Sequence, residues 1–237
     1  MRDTELSGLV ARLFQAHPWH GVPAQAGDPE HFAAFIEIVP TDTVKYELHK
    51  ASGHLHVDRP QRFSSICPTL YGFIPQTYCA ERVAARCTER TGLPQMHGDG
   101  DPLDICVLTE KAIAHGNLFV RARVIGGLRM VDGSEVDDKI VAVLEQDLAY
   151  GHVRELADCP AVIVDRLQHY FLSYKQRPDD PSRRVRIAEV YDRAEALEVV
   201  GRSLEDYRDH FGAPEERLAE LRRLILERLT EMPGPRS

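Results

Sequence analysis

The stretch HGDGDPLDICVLTE, His97 to Glu110, constrains this chain more than any other. Asp99, Asp101 and Asp104 fall within six residues, separated by Gly100 and Pro102. Glycine and proline favour a turn over a helix. The apolar run Ile105 to Leu108 then reads as a buried strand that holds the turn rigidly. Carboxylates this close repel one another unless a cation lies between them, and hard divalent cations such as Mg²⁺ prefer oxygen ligands. A twelve-residue calcium loop fits poorly, because Leu103 and Asp104 stand where a ligand and the required glycine belong.

The 237 residues suffice for one large domain or one domain with additions, and an apolar fraction of 43% can fill a core. A formal charge of −8 argues against nucleic-acid binding through a basic surface. An anionic ligand stays compatible, since bound metals and a few clustered bases reverse the field locally. No run of about 18 apolar residues suggests a membrane span. The N-terminal stretch also lacks the continuous apolar segment of a secretory signal. Cys67, Cys79, Cys87, Cys106 and Cys159 are odd in number and include no CxxC pair, which predicts free thiols and a cytoplasmic protein.

Along the chain, Leu6, Leu9, Val10, Leu13 and Phe14 predict a short amphipathic helix over 3–16, and residues 20–31 read as a loop. Strands are expected from Phe35 onward, at AFIEIVP and VKYELHK, with a return strand in SGHLHVDRP after a Ser52-Gly53 turn. CPTLYGFIP, 67–75, forms a compact apolar segment in which Gly72 admits a close neighbour. Residues 79–97 carry no motif and read as a surface insertion with one helical turn around 80–86. Strands follow at DICVLTE, NLFVRARVIG, GLRMV and KIVAVLE. Helices are expected over 160–175, from about 193 to 210 and over 214–231, with a strand over 185–191 before the second. Strands first and helices last predict a compact α+β fold with a mostly antiparallel, barrel-like sheet.

A second acidic group, Asp132, Asp137 and Asp138, precedes Lys139. Strand alternation sends Asp137 and Lys139 one way and Asp138 the other. Taken with Glu37, Glu47, Lys45, Arg59, Lys175, Tyr71 and Tyr174, these residues offer what several Mg²⁺ ions and a phosphate polyanion need together.

The combination resembles the family I soluble inorganic pyrophosphatases. The residues that carry it are DGDPLD at 99–104, IEI at 36–38, VKYEL at 44–48, VDR at 57–59 and YGFIP at 71–75. The D-x4-D-x-K pattern of Asp132, Asp137 and Lys139 and HYFLSYK at 169–175 complete it. The resemblance implies an OB-like five-stranded, mostly antiparallel β-barrel with flanking helices and a Mg²⁺-dependent site in its mouth. It implies hydrolysis of pyrophosphate to two orthophosphates by a metal-bridging water. Asp99, Asp104 and Asp137 would ligate the metals beside that water, and Asp132 with Asp137 a third metal. Glu37 and Glu47 would act mainly through water. Asp101 would accept the proton. Lys45, Arg59, Tyr71, Lys139, Tyr174 and Lys175 would bind the phosphates. A homo-oligomer without nucleic-acid or membrane partners is also implied.

The expected division is an extension over 1–32, the catalytic domain over 33–212 and a C-terminal helix and tail over 213–237. Cys67 stands where many members carry a tyrosine, and Gly133 where an acid often follows the third-metal aspartate. The stretch 76–98 and the helix 214–231 also lie outside the short bacterial pattern. These departures keep a second reading open, a catalytically weakened OB-like relative that binds metal or polyphosphate. A nucleotide hydrolase is disfavoured, since no GxxxxGK[ST] loop appears.

Overall fold

The structure is a computed structural model that describes residues 15–25, 28–62, 64–175 and 184–231. The helix expected over 3–16 therefore lies almost wholly outside the described residues. The strands are β1 (His31–Ile38), β2 (Val44–Leu48), β3 (Leu55–Pro60), β4 (Leu70–Phe73), β5 (His97–Gly98), β6 (Asp104–Leu108), β7 (Leu118–Asp132), β8 (Glu135–Val136), β9 (Lys139–Leu144) and β10 (Val185–Asp192). The helices are α1 (Glu81–Thr91), α2 (Ala161–Ser173), α3 (Arg193–Phe211) and α4 (Pro214–Glu231).

Hydrogen-bonded pairing runs β1–β4–β6–β9–β7, and β7 pairs again with β1. Five strands thus close into a ring, antiparallel throughout except for β6 beside β9. This is the barrel that the strand-rich first half predicts. Strands β2 and β3 form a separate two-stranded hairpin.

Central strands of the ring are buried on both faces, as their continuous apolar runs require. Ile105, Val107, Ile140 and Ala142 join one core cluster with α1 and α3, through Val83, Ala84, Val199 and Val200. Cys106, Leu108, Val141 and Val143 join the other with α2, through Leu167, Tyr170 and Phe171. The five cysteines are free and buried.

Three expectations are corrected. Residues 79–97 are not a surface insertion. They contain the three-turn helix α1, whose Val83, Ala84 and Cys87 are buried. Its first turn has no local cap, because Asp206 of α3 accepts from the backbone N–H groups of Ala80, Arg82 and Val83 at 3.0, 3.0 and 3.2 Å. A carboxylate there also matches the positive end of the helix dipole. Second, NLFVRARVIG and GLRMV are not two strands but the single fifteen-residue β7. Gly126 and Gly127 bend it at a bulge instead of ending it. A Cβ on Gly127 would stand 2.4 Å from the Tyr191 ring of β10, so the glycine serves close approach. Third, β1 starts at His31, before Phe35, since residues 31–36 pair with 118–123.

The loop before β1 is anchored by Trp19, which is 3% exposed. Its indole N–H donates to the Thr77 carbonyl at 2.8 Å, and its ring lies against His20, Tyr78 and Phe211.

Gly72 lies where β4 crosses β1, and an added Cβ would come within 1.8 Å of the Phe35 carbonyl oxygen. Both partners are backbone, so neither can swing aside. Gly72→Ala should therefore destabilise the fold by about 3 kcal/mol or more. A urea unfolding midpoint equal to wild type would show that β1 and β4 are not packed this way.

Candidate active site

One cleft gathers most of the residues singled out in the sequence. Glu37, Lys45, Glu47, Tyr71, Asp99, Asp101, Asp104, Asp132, Asp137, Lys139, Tyr174 and Lys175 all line it. Arg59 does not. It stands at the flank, with its guanidinium 5.8 Å from the centre of the Tyr174 ring and Nε 3.6 Å from Asp58. One of its terminal nitrogens is buried without a hydrogen-bond partner among the described residues.

The ring sets the centre of the cleft. Asp104 opens β6, Lys139 opens β9, and the parallel register puts them side by side. Lys139 is 1% exposed, and its ammonium bridges the Asp104 and Asp137 carboxylates. Tyr71 on β4 donates to the same Asp104 oxygen at 2.6 Å. Alternation in the extended approach to β9 does the sorting: Asp137 and Lys139 face the cleft, while Asp138 is buried on the other side against Arg129 at 3.6 Å. Arg129, fully buried, also pairs with Glu189 and Glu195 at 2.5 and 2.6 Å.

The acidic turn is clamped by its neighbours. Asp101 N–H donates to the Asp99 carboxylate at 3.0 Å, and Gly100 takes φ of 73°. Gly100 N–H donates to the Cys79 carbonyl at 3.0 Å, Cys79 N–H to the Asp101 carbonyl at 2.9 Å, and Leu103 N–H to Thr77 Oγ1 at 2.9 Å. The segment 74–79 therefore serves as the mould of the turn. That answers the place of this stretch in the fold, which its sequence pattern does not reveal.

Electrostatics follow from burial and crowding. Burial, with the Asp137 charge second among the raising influences, pushes Asp99 up to about 8. Burial, then the Asp104 charge, lifts Glu37 to about 8, although its carboxylate accepts from Leu48 N–H at 2.7 Å. Burial also raises Asp104, against the pull of Lys139. Asp137 is the exception. Burial acts to raise it, but Lys139, with Lys175 and Lys45, outweighs that and holds it low. Lys139 is raised: burial opposes its charge, and Asp104 and Asp137 outweigh burial.

Two charged residues of the cleft lie outside the sequence pattern. Lys50, in the β2–β3 turn, pairs with Asp101. Glu135 on β8 lines the cleft two residues after Gly133, so an acid absent at one position is supplied just beyond it. Gly133 itself sits in a turn with φ of 68°. Cys67 is fully buried beside the α2 cluster, not in the cleft, and burial pushes its thiol up to about 11.

Among the described residues the cleft holds eight carboxylates against four lysines. Each lysine already has a carboxylate partner: Lys45 with Glu47 and Asp58, Lys50 with Asp101, Lys139 with Asp104 and Asp137, Lys175 with Asp132. No three acidic side chains among the described residues converge at metal-ligand spacing, since Asp104 and Asp137 close on Lys139 instead. The donor set is nonetheless all carboxylate oxygen and in excess, the chemistry that suits hard divalent cations.

Fold and cleft together define a closed-barrel protein with a carboxylate-rich cleft at one end of its strands. The inorganic pyrophosphatase family profile matches residues 34–208, and the chain belongs to that family. An inorganic pyrophosphatase of Chlamydia trachomatis is 47% identical over 196 residues, covering 81% of this chain and 94% of that one. A soluble inorganic pyrophosphatase of rice, Oryza sativa, is 34% identical over 207 residues, covering 87% and 86%. The crystal structure of the inorganic pyrophosphatase from Thermus thermophilus superposes with a TM-score of 0.66 at 29% identity, covering 81% of this chain and 99% of that one. The chain is an inorganic diphosphatase, and the weakened binding relative is not favoured.

The Lys139 bridge yields a prediction. Asp137 has a native value below its unfolded one, so its contribution is present at neutral pH and is lost as pH falls through that lowered value. Without Lys139, burial raises Asp137 instead, and the buried carboxylates disfavour the fold at neutral pH. Lys139→Met should cost about 3–5 kcal/mol at pH 7. The deficit should shrink as the pH is lowered through the raised carboxylate values. Urea unfolding at several pH values reads this, and a deficit that grows on acidification would contradict it.

Proposed function

We propose that the cleft hydrolyses pyrophosphate with Mg²⁺, using water as nucleophile and Asp101 as its proton acceptor. The observation that carries this reading is the excess of carboxylates over lysines. A highly charged anion is repelled from such a cleft unless divalent cations enter with it. Asp99, Asp104, Asp132 and Asp137 would hold the cations directly, with Glu37 and Glu47 beside them. When bound, the cations supply positive charge against the phosphate oxygens and ease the ionisation of water.

The chain's own groups do the rest. Lys139 exchanges Asp104 and Asp137 for phosphate oxygens, and Lys45 and Lys175 likewise turn from their carboxylates to the substrate. Arg59, one of whose terminal nitrogens has no partner among the described residues, adds a guanidinium suited to bidentate phosphate contacts. Tyr71 and Tyr174 donate hydroxyl hydrogen bonds. Water forms its bond to one phosphorus as the bond to the bridging oxygen breaks, and the departing phosphate takes that electron pair. Asp101 takes the water's proton. Lysines and the arginine hold the charge that grows on the departing phosphate.

We further infer a catalytic unit over 33–212, flanked by an extension over 1–32 and a helix and tail over 213–237. We infer too that the protein works as a homo-oligomer in the cytoplasm. Among the described residues no helix is long and apolar enough to cross a membrane.

Phosphate release from pyrophosphate, with and without Mg²⁺, is the direct test. Asp101→Asn should lower kcat by about 10²–10⁴-fold with modest change in KM. Absence of turnover in the wild type sinks the Mg²⁺-dependent reading, and an unaltered Asp101→Asn sinks the role of Asp101. A second expectation concerns protons. Glu37 and Asp99, both near 8, are largely protonated at pH 7 and ionise when cations bind. Mg²⁺ binding should therefore release protons at pH 7 and far fewer at pH 9. Calorimetry in buffers of different ionisation enthalpy measures this, and equal release at both values would count against it.

A further inference from the structure

Asp101 is held unlike its two neighbours in the acidic turn. Its backbone is fixed at both ends, by the N–H bond to Asp99 at 3.0 Å and the carbonyl bond from Cys79 at 2.9 Å. Its side chain stands at the mouth of the cleft, 44% exposed. Among the described residues the only partner of that carboxylate is Lys50, whose ammonium also lies 3.4 Å from the Gly100 carbonyl.

Lys50 is itself fixed from behind. Its carbonyl is 3.0 Å from His17 Nε2, and the turn that carries it is closed by His49 N–H to the His54 carbonyl at 2.8 Å and Gly53 N–H to the His49 carbonyl at 2.9 Å. Gly53 abuts His17, where a Cβ would come within 2.9 Å of the ring. The Lys50 ammonium lies 6.0 Å from the centre of the buried Trp19 ring. The other cleft lysines, Lys45, Lys139 and Lys175, pair with other carboxylates.

We propose that Lys50 is a positioning residue that holds the Asp101 carboxylate in its working orientation. The inference rests on the proposed role of Asp101 as proton acceptor. A solvent-facing carboxylate on a fixed backbone still turns about its side-chain bonds. One ion pair from a braced hairpin removes that freedom. An exposed pair of this kind adds little to stability, so its loss should spare the fold. Catalysis is far more sensitive, because small displacements of a reacting group cost large factors in rate.

The test is a double-mutant cycle on pyrophosphate hydrolysis by the full chain with Mg²⁺. Lys50→Met should lower kcat about tenfold or more while KM stays within about twofold. Lys50→Arg, which keeps the charge, should recover most of the loss. On the Asp101→Asn background, Lys50→Met should add almost nothing, because the group it positions is gone. Unfolding midpoints of both Lys50 variants should match wild type. Wild-type kinetics for Lys50→Met overturn the proposal. So does a raised KM with kcat kept, which makes Lys50 a substrate contact. Losses that multiply in the double variant also overturn it, as do losses that follow a lowered melting temperature. An active Asp101→Asn instead removes the underlying role of Asp101, and that outcome is read from the single variant alone.

Discussion

The site depends on one ammonium held between two carboxylates across a pair of parallel strands. Lys139 and Asp104 meet because β6 and β9 run side by side in register, the one parallel pairing within the five-strand ring. Asp137 joins them two residues before Lys139 on the same face. Lys139 is buried and its two aspartates mostly so, and a buried ammonium needs its carboxylates, so the strands, the lysine and the acids must be arranged together. Tyr71 on the next strand adds a hydrogen bond to Asp104, and the 74–79 segment holds the backbone of the acidic turn at Gly100, Asp101 and Leu103.

The opposite face solves a similar problem with different partners. Asp138 turns away from the cleft and faces Arg129, which also meets Glu189 of β10 and Glu195 of α3. Arg86 and Arg90 of α1 reach the same two glutamates. One short segment, 137–139, therefore feeds two separate charge networks, and the pleat of the strand keeps them apart. Because removal of the fully buried Arg129 would leave Asp138 without its partner and take one from Glu189 and Glu195, the second network ties β10 and α3 to β7 behind the site, with α1 joined through Arg86 and Arg90.

Much of this was readable in the sequence where the signal is local. The Asp99–Asp104 turn, the β2–β3 hairpin and the opposite facing of Asp137 and Asp138 follow from glycine, proline and a period of two. So do the helices near 161–173 and 193–211, from apolar spacing. What escaped depends on partners distant in the chain. Helix α1 has no capping residue of its own, because Asp206 supplies the acceptor from beyond residue 200. The paired glycines 126 and 127 suggested a break, since nothing nearby announces that Tyr191 will press on them. Lys50 sits in a hairpin turn with no pattern to mark it, and only the fold brings it to Asp101. Glu135 had a faint signal, an acid close to the place where Gly133 lacks one. Arg59 follows the motif by position but stands at the flank of the cleft, a distinction that spacing alone does not carry.

The closure of the ring also bears on how the chain is made. Residues 31–36 find their second partner only at 118–123, and β6 finds its parallel neighbour only at 139–144. A chain emerging from the ribosome must hold its first strands open until β7 and β9 have left the exit tunnel. Pairings so distant in sequence close loops at an entropic disadvantage and slow the approach to the native state. Until then β1 and the apolar run after the acidic turn remain unpaired edges, able to join a neighbouring nascent chain. Charged side chains at the ends of these strands, which later gather in the cleft, meanwhile oppose such mispairing by mutual repulsion.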